Sequence, residues 1–417
     1  MNNQNLHAAV STLFLFILLS LFSVKGYTQT KGCTDPLATN YNASAFMNDG
    51  SCVYSPASVN AVSSTQLPTQ MKGTSGLIWM NNKLWTQNNF SDINLYAFDP
   101  AQVNSFQTLS LTGTVNIDWE EMTQDEEYLY IGDFGNNVNG NRTNLQILRI
   151  KKTTLFQASL QIDTIKFSYS TQTNFTSTGA NKTNYDCEAF VVTKDSLYLF
   201  TKEWLTNKTS IYRLPKISGT YNATFVSTLD VQGLITGAML MEDKRLLVLC
   251  GYNSTLQPFL YLLYDYTGTD FFGGNKRRIN INLPFHQVEA ITTQDGINYH
   301  ITNEYISRSG ITIPQQLHQL NLNAYLSRYL STTNIYDYTS EKNFSMYPVP
   351  AKTFIQMEVN TKRAQIPYRI IDCRGVVVQQ GIWSRTGNRL NIDLLPAGSY
   401  WMIVAAEKTY IKQWVKE

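Results

Sequence analysis

Between Gly73 and Leu322, short apolar runs alternate with polar breaks in a unit that recurs five times. Each unit opens on a compact run built around an acidic or glycine position: TSGLI, DWEEM, DCEAF, ITGAM and QVEAI. Aligned, these runs put Gly76, Glu120, Glu188, Gly237 and Glu289 in one column. A second run follows in each unit: LWTQNNF, LYIGDF, LYLFTKEW, LLVLCGY and NYHITNEY. It closes on Asn89-Phe90, Asp133-Phe134, Glu203-Trp204, Gly251-Tyr252 or Glu304-Tyr305. A third run, INLYAF, LQILRI, TSIYRL, LYLLYDY or LHQLNL, ends the unit. Runs this short, rich in β-branched and aromatic residues and bounded by turn formers, predict strands rather than helices.

Isolated alternating stretches (SFQTLSL, TIKFSYS, ATFVSTLD and RRININLP) precede the later units, and each reads as the outermost strand of the unit before it. The stretch from Val62 to Leu67 has no unit before it, so it is expected to pair near Leu317 to Leu322 and close a ring. Strand repeats of this length predict a β-propeller over residues 56–340, with closure removing a pair of sheet edges. The count is five blades, or six if the polar stretch Thr153–Asn184, read as a surface loop, hides a degenerate one.

Composition agrees with an all-β chain: 25 Tyr and 20 Phe stand against only 15% charged residues. A net charge of +2 argues against a nucleic-acid partner. The one short basic cluster, Lys276-Arg277-Arg278, follows Gly273-Gly274 and reads as a solvated loop. At the N-terminus the apolar run Thr12–Val24 is shorter than the roughly 20 residues of a membrane span, and it predicts a secretory signal over 1–26. The leader before it holds His7 and no Lys or Arg. Cys33 and Cys52 flank a compact segment and are expected to pair in an oxidising compartment. Cys187 and Cys250 read as buried apolar residues, and Cys373 has no evident partner.

The segment GCTDPLATNYNASAFMNDGSCVY, residues 32–54, resembles a short cysteine-bounded module common in exported proteins of Gram-negative bacteria. Ala43 stands where that module usually has Pro, and Asn48 where it has Asp. So short a segment needs a staple. Its Asp35, Asn40, Asn42, Asn48 and Asp49 read as turn formers ahead of calcium ligands. Residues 343–417 closely resemble the C-terminal sorting domain of type IX secretion cargo. The marks are Tyr347-Pro348-Val349-Pro350-Ala351, the Asp372–Gly375 turn, Leu395-Pro396 with Gly398 and Tyr400, and a basic last strand from Lys412 to Lys416. Val349 replaces the Asn usual there. The resemblance implies passage through the type IX machinery to the outer-membrane surface or beyond, with release or anchoring to surface lipopolysaccharide. Read without the family, the alternating runs of this segment form seven short strands and suit an immunoglobulin-like β-sandwich.

Equivalent positions of a propeller's inner strands meet around one axis, so Glu120, Glu188 and Glu289 are expected to face each other at a channel mouth. Carboxylates about 7 Å apart repel by roughly 2 kcal/mol per pair at an effective dielectric near 20. Such a group needs a cation, a positive ligand or a shared proton. Three readings follow: inter-blade hydrogen bonding first, calcium binding second, and catalysis by a raised-pKa carboxyl third. Asn89, Asp133, Glu203 and Glu304, with Trp204 and Tyr305, are the candidate ligand-binding residues of the second column. Phe90 and Phe134 beside them are candidates to stack on sugars. His286, His300 and His318 read as satisfied core or edge residues, and neither a nucleophile elbow nor a phosphate loop occurs. The Asp-Trp-Glu-Glu and Tyr-Ile-Gly-Asp stretches are similar to calcium-dependent, phytase-like or esterase-like propeller hydrolases. The expectation is therefore a non-enzymatic binding or scaffold protein, with such a hydrolase as the alternative.

Overall fold

The computed structural model describes residues 31–417 apart from 46, 91, 158, 309, 334–343, 362, 373–375, 385–388 and 407–408. The expected signal, residues 1–26, and Cys373 and Gly375 lie outside the described residues. Among those described, strands dominate and the chain is all-β apart from one helix of any length.

The first segment is the small module. Its strands β1 (Lys31–Gly32) and β2 (Met47–Asn48) pair in parallel, and Cys33 bonds to Cys52. Its Asn and Asp side chains make turns. Asp35, Asn42, Asn48 and Asp49 each accept the amide of the residue two places on, and Asn40 accepts the amide of Val53. Next come β3 (Ser58–Val59) and β4 (Ala61–Gln66).

Five four-stranded antiparallel sheets follow. The first is β5 (Thr74–Met80), β6 (Lys83–Asn88), β7 (Asn94–Phe98) and β8 (Phe106–Ser110). Asn81 and Asn82, both at positive φ, turn β5 into β6. The second holds β9 (Trp119–Gln124), β10 (Tyr128–Asp133), β11 (Gln146–Lys151) and β12 (Ile162–Tyr169). The third is β13 (Asp186–Val192), β14 (Ser196–Lys202), β15 (Lys208–Pro215) and β16 (Gly219–Asp230), and the fourth β17 (Leu234–Met241), β18 (Leu246–Tyr252), β19 (Pro258–Tyr264) and β20 (Asn275–Ile281). In the fifth, β21 (Val288–Thr293) and β22 (Asn298–Asn303) are followed by a small hairpin, β23 (Ile306–Arg308) and β24 (Ile311–Ile313), before β25 (Gln316–Asn321). Its fourth strand is β4, paired antiparallel to β25 with Leu317 opposite Thr65. The N-terminal strand thus closes the last sheet, as the repeat pattern requires.

The first strands of the five sheets form a ring: β5 lies against β9 and β21, β9 against β13, β13 against β17, and β17 against β21. Strands near the ring are covered on both faces, so β18 reads LLVLCGY and is buried throughout. Outer strands have one wet face, and the second half of β12 alternates buried and exposed. Outer edges are managed by pairing. The first half of β16 pairs in parallel with β12, joining the second and third sheets, and its second half pairs with β15. β3 likewise covers β20. The stretch expected as a long loop contributes β12, and among the described residues no sixth four-stranded sheet joins the ring.

Lys276-Arg277-Arg278 is not the solvated loop its charge predicts; it lies in β20. Lys276 donates to the Gly50 carbonyl at 3.1 Å, and the Arg277 guanidinium sits between the Tyr54 and Tyr325 rings, 4.8 and 4.7 Å from their centroids. Flat cations on aromatic faces, with their stems packed, explain the burial. They dock the small module and the helix α1 (Asn323–Thr333) onto the fourth sheet. After it, β26 (Phe344–Tyr347), β27 (Phe354–Val359) and β30 (Arg389–Asn391) make a three-stranded sheet. β28 (Gln365–Asp372), β29 (Val377–Ser384), β31 (Gly398–Ala405) and β32 (Thr409–Lys416) make a four-stranded one, and the two enclose a common core that includes Phe344, Ile355, Ile370, Met402 and Trp414.

Candidate functional site

Every first strand carries a β-bulge near its start, where it faces the end of the second strand. The pairing skips a residue between Trp119 and Glu121, Cys187 and Ala189, Ile235 and Gly237, and Val288 and Ala290, and skips two between Thr74 and Leu77. A bulge adds a residue and re-aims its side chain. The added residues are Glu120, Glu188, Thr236 and Glu289, with Ser75 and Gly76 in the first sheet. Thr236, not the aligned Gly237, is therefore the fourth sheet's member of the glutamate column. Because first strands begin where second strands end, both predicted columns lie at one end of the ring, here termed the upper mouth.

Glu120, Glu188 and Glu289 are all buried. The Lys202 ammonium lies 3.1 Å from Glu188 Oε1, each side chain 3% exposed, and the Trp204 and Tyr252 rings flank it at 4.9 and 5.2 Å. Burial alone would lower the Lys202 pKa, but Glu188, Tyr252 and Glu289 outweigh it and hold the group charged. One cation does not neutralise the acids around it. Burial, then Glu188, Asp118 and Asp186, push Glu120 well above the usual carboxyl range. Burial pushes Glu289 up to about 7 against the opposing pull of Lys202. Burial, then the Glu289 charge, pushes Glu304 up to about 8, and burial with Asp186 pushes Asp118 up to about 6. Asp186 is raised by burial as well, although Lys202, the Trp204 indole at 2.8 Å and the Asn136 amide favour its charged form. Burial and mutual repulsion thus push the acids at this mouth toward their protonated forms.

Below it, Glu121 is buried and reaches across the ring, accepting the amides of Met122 at 2.9 Å and Ala238 at 3.0 Å. This is possible because Gly76 has no side chain: a Cβ there would stand 2.9 Å from Glu121 Oε1 and 2.4 Å from the Met122 nitrogen. Several buried polar atoms have no partner, among them Glu289 Oε2, Asn89 Oδ1 and both amide atoms of Gln87.

The second column divides. Asn89 donates to Glu304, and this pair stands beside the acid pocket. Asp133 is held instead by Arg142 at 3.0 Å and Gln146 at 3.1 Å. Glu203 accepts from Ser210 at 2.6 Å and Thr201 at 3.2 Å, and also from Thr206, which ties it into its own turn. Trp204 covers Lys202, while Tyr305 is exposed with Lys72 over its ring at 4.8 Å. Phe90 is 57% exposed, but Phe134 is fully buried and meets Phe190 edge-on at 5.3 Å, so it offers no face to a sugar. His318 bonds Ser64 and Asn303, burial lowering its pKa to about 3, and His300 packs edge-on against Trp79. Among the described residues, no three His, Cys, Asp or Glu side chains are grouped as a metal ion would need. Sequence reasoning missed Lys202, which occurs in one unit only. It also passed over Asp118 and Asp186, although both open the acidic runs it aligned.

In the C-terminal unit the Tyr347 hydroxyl donates to Glu358 at 3.0 Å, beside Pro348 and Pro350. Asp372 accepts the Val376 amide at 3.1 Å. The Tyr400 hydroxyl reaches the Pro396 carbonyl at 2.8 Å, and its ring stacks on Trp414. Gly398 starts β31 opposite Lys416. No helix among the described residues is long and apolar enough to cross a membrane.

No curated protein matches this chain in sequence. Among solved structures it is similar to the extracellular domain of a proposed one-component system, BT4673, from B. thetaiotaomicron, at 11% identity and TM-score 0.30, covering 85% of this chain and 57% of that one. A proposed oxidoreductase (glucose dehydrogenase) from Thermus thermophilus matches at 9% identity and TM-score 0.36, covering 62% of this chain and 99% of that one. These scores are too low to assign a shared fold, and the chain spans less than two thirds of the first of these structures. Residues 345–417 match the family model described as a secretion system C-terminal sorting domain, which supports export through the type IX secretion system to the cell surface or the extracellular space.

Proposed function

We propose that the five-sheet ring is a five-bladed β-propeller, followed by an immunoglobulin-like sandwich, and that the exported protein uses the upper mouth as a ligand-binding face. The ring contacts among first strands and the closing strand β4 support the first part. One observation carries the second. Large exposed apolar side chains crowd the loops of the upper mouth: Phe90, Ile117, Val138, Leu205, Phe285 and Tyr305 are among them. The ring's own loops at the opposite end expose only Phe156 and Ile217 among the described large hydrophobics, and the small module docked beside the β19–β20 loop adds Leu37, Tyr41, Met47 and Val53 at one side of it. An apolar rim around a polar centre is the build of an interaction site.

The test places a photo-crosslinking amino acid at Val138 or Leu205, and separately at Phe156 or Ile217, in the full chain secreted by its own cells. Cross-linked species from the upper-mouth positions alone are the expected result. Equal capture at both ends, or none at the upper mouth, would refute the reading.

A further inference from the structure

The upper mouth has a centre as well as a rim, and the centre names a ligand. Glu289 is 3% exposed, and its Oε2 has no hydrogen-bond partner; Thr236 and Gln287 beside it donate instead to the Val288 carbonyl and the Tyr252 hydroxyl. Gln87, fully buried, leaves both amide atoms unpaired. Its Oε1 lies 2.8 Å from the point where a Gly76 Cβ would stand, and Glu121 Oε1 lies 2.9 Å from the same point, so this glutamine belongs to the layer below the mouth. Unmade hydrogen bonds of this kind are costly, and a ligand that makes them is strongly favoured. The titratable groups facing Glu289 are Lys202 on β14, Asp186 and Glu188 on β13, Glu121 on β9, Cys250 and Tyr252 on β18, and Glu304 after β22, with Asp118 and Glu120 standing beyond them against Asp186 and Glu188. Besides Lys202, the cations nearby are Arg142, which pairs with Asp133 and acts on Asp118, and Lys72, which lies over the Tyr305 ring. Acids outnumber cations.

Lys202 shows how the site holds a cation: a carboxylate at 3.1 Å and two aromatic rings at about 5 Å. Glu289 feels the same ammonium, but the close ion pair of Lys202 is with Glu188, and Glu289 Oε2 accepts no hydrogen bond. Resting on the propeller reading above, we infer that the upper mouth binds a partner protein by accepting one of its lysine ammonium groups at Glu289 and Glu304, with the flanking apolar residues of that partner seated on the rim. A neutral segment would leave the acids unpaired, and an anionic one would be repelled. Deprotonation of Glu289 and Glu304 adds negative charge, so affinity rises between pH 6 and pH 8.

The test measures fluorescence anisotropy of short acetylated peptide amides with a central lysine flanked by leucine and phenylalanine, titrated with the full secreted chain. Controls replace the lysine with norleucine or glutamate. The lysine peptide is expected to bind, more tightly at pH 8 than at pH 6. The norleucine peptide, and the lysine peptide with Glu289→Gln or Glu304→Gln, should each bind about tenfold more weakly. Leu205→Ser should weaken all apolar peptides alike. Two isosteric variants, each checked by thermal melting, guard against loss of fold. Equal binding of the lysine and norleucine peptides, lost only in Leu205→Ser, overturns the ammonium site and leaves the face reading standing. No binding of any peptide overturns both.

Discussion

Replacing Glu289 by glutamine separates a buried carboxyl that holds its proton from one that merely hydrogen-bonds. Its pKa rises from 4.5 in the free side chain to about 7 in the fold. The folded state therefore holds a proton that the unfolded state releases, over the window between those values. Stability falls wherever the folded state binds more protons as pH rises. The contribution is whole below about pH 4 and is lost as pH climbs through 7. At 1.36 kcal/mol per unit, the loss is about 3 kcal/mol by pH 8.5. Glutamine keeps the shape and carries no charge, and its presence also relieves Glu188 and Glu304. Urea unfolding of both proteins at pH 4.5 and pH 8.5, followed by tryptophan fluorescence, gives the comparison. Near-equal stability at the lower pH, with the variant more stable by about 3 kcal/mol at the higher, is expected. A variant less stable at both pH values by the same amount would refute the reasoning, because the carboxylate would then be a structural acceptor already ionised.

Lys202→Met leaves Glu188 buried beside other acids and should destabilise the ring by about 3–5 kcal/mol, with Lys202→Met/Glu188→Gln recovering most of it in the same unfolding assay. Gly76→Ala drives a methyl into Glu121 and the Met122 amide and should lower stability by about 1–3 kcal/mol, read as a drop in thermal midpoint. Removing the Cys33–Cys52 bond, which closes a sequence separation of 19, should weaken the module by about 3 kcal/mol and expose it to limited proteolysis before the ring is cut. Deleting residues 345–417 should hold the remaining chain in the periplasm, measured by fractionation of the secreting cells.

The five-fold organisation was legible because repetition multiplies a weak signal: each inner strand is short, but five stand in register. The same repetition exposed Glu120, Glu188 and Glu289. It misplaced the fourth member, because a bulge inserts a residue without marking which one is extra, and Thr236 and Gly237 are adjacent. Lys202 stayed hidden because one unit alone carries it. Phe134 read as exposed from its place after Asp133, yet that loop folds back over the second and third sheets. The basic cluster of β20 misled for a different reason. Its partners, Tyr54 and Tyr325, come from distant parts of the chain, and local charge says nothing of aromatic faces that arrive by folding.

The most direct test of the acid mouth is proton release on binding. The lysine peptide is titrated by calorimetry into the full secreted chain at pH 7, in buffers of different ionisation enthalpy. An ammonium group placed among partly protonated carboxyls lowers their pKa values, so binding should release protons, and the release should fall in Glu289→Gln, with Glu304 supplying the remainder. Heats that do not depend on the buffer, or a release unchanged in the variant, would place the ligand elsewhere and contradict the central role given to Glu289.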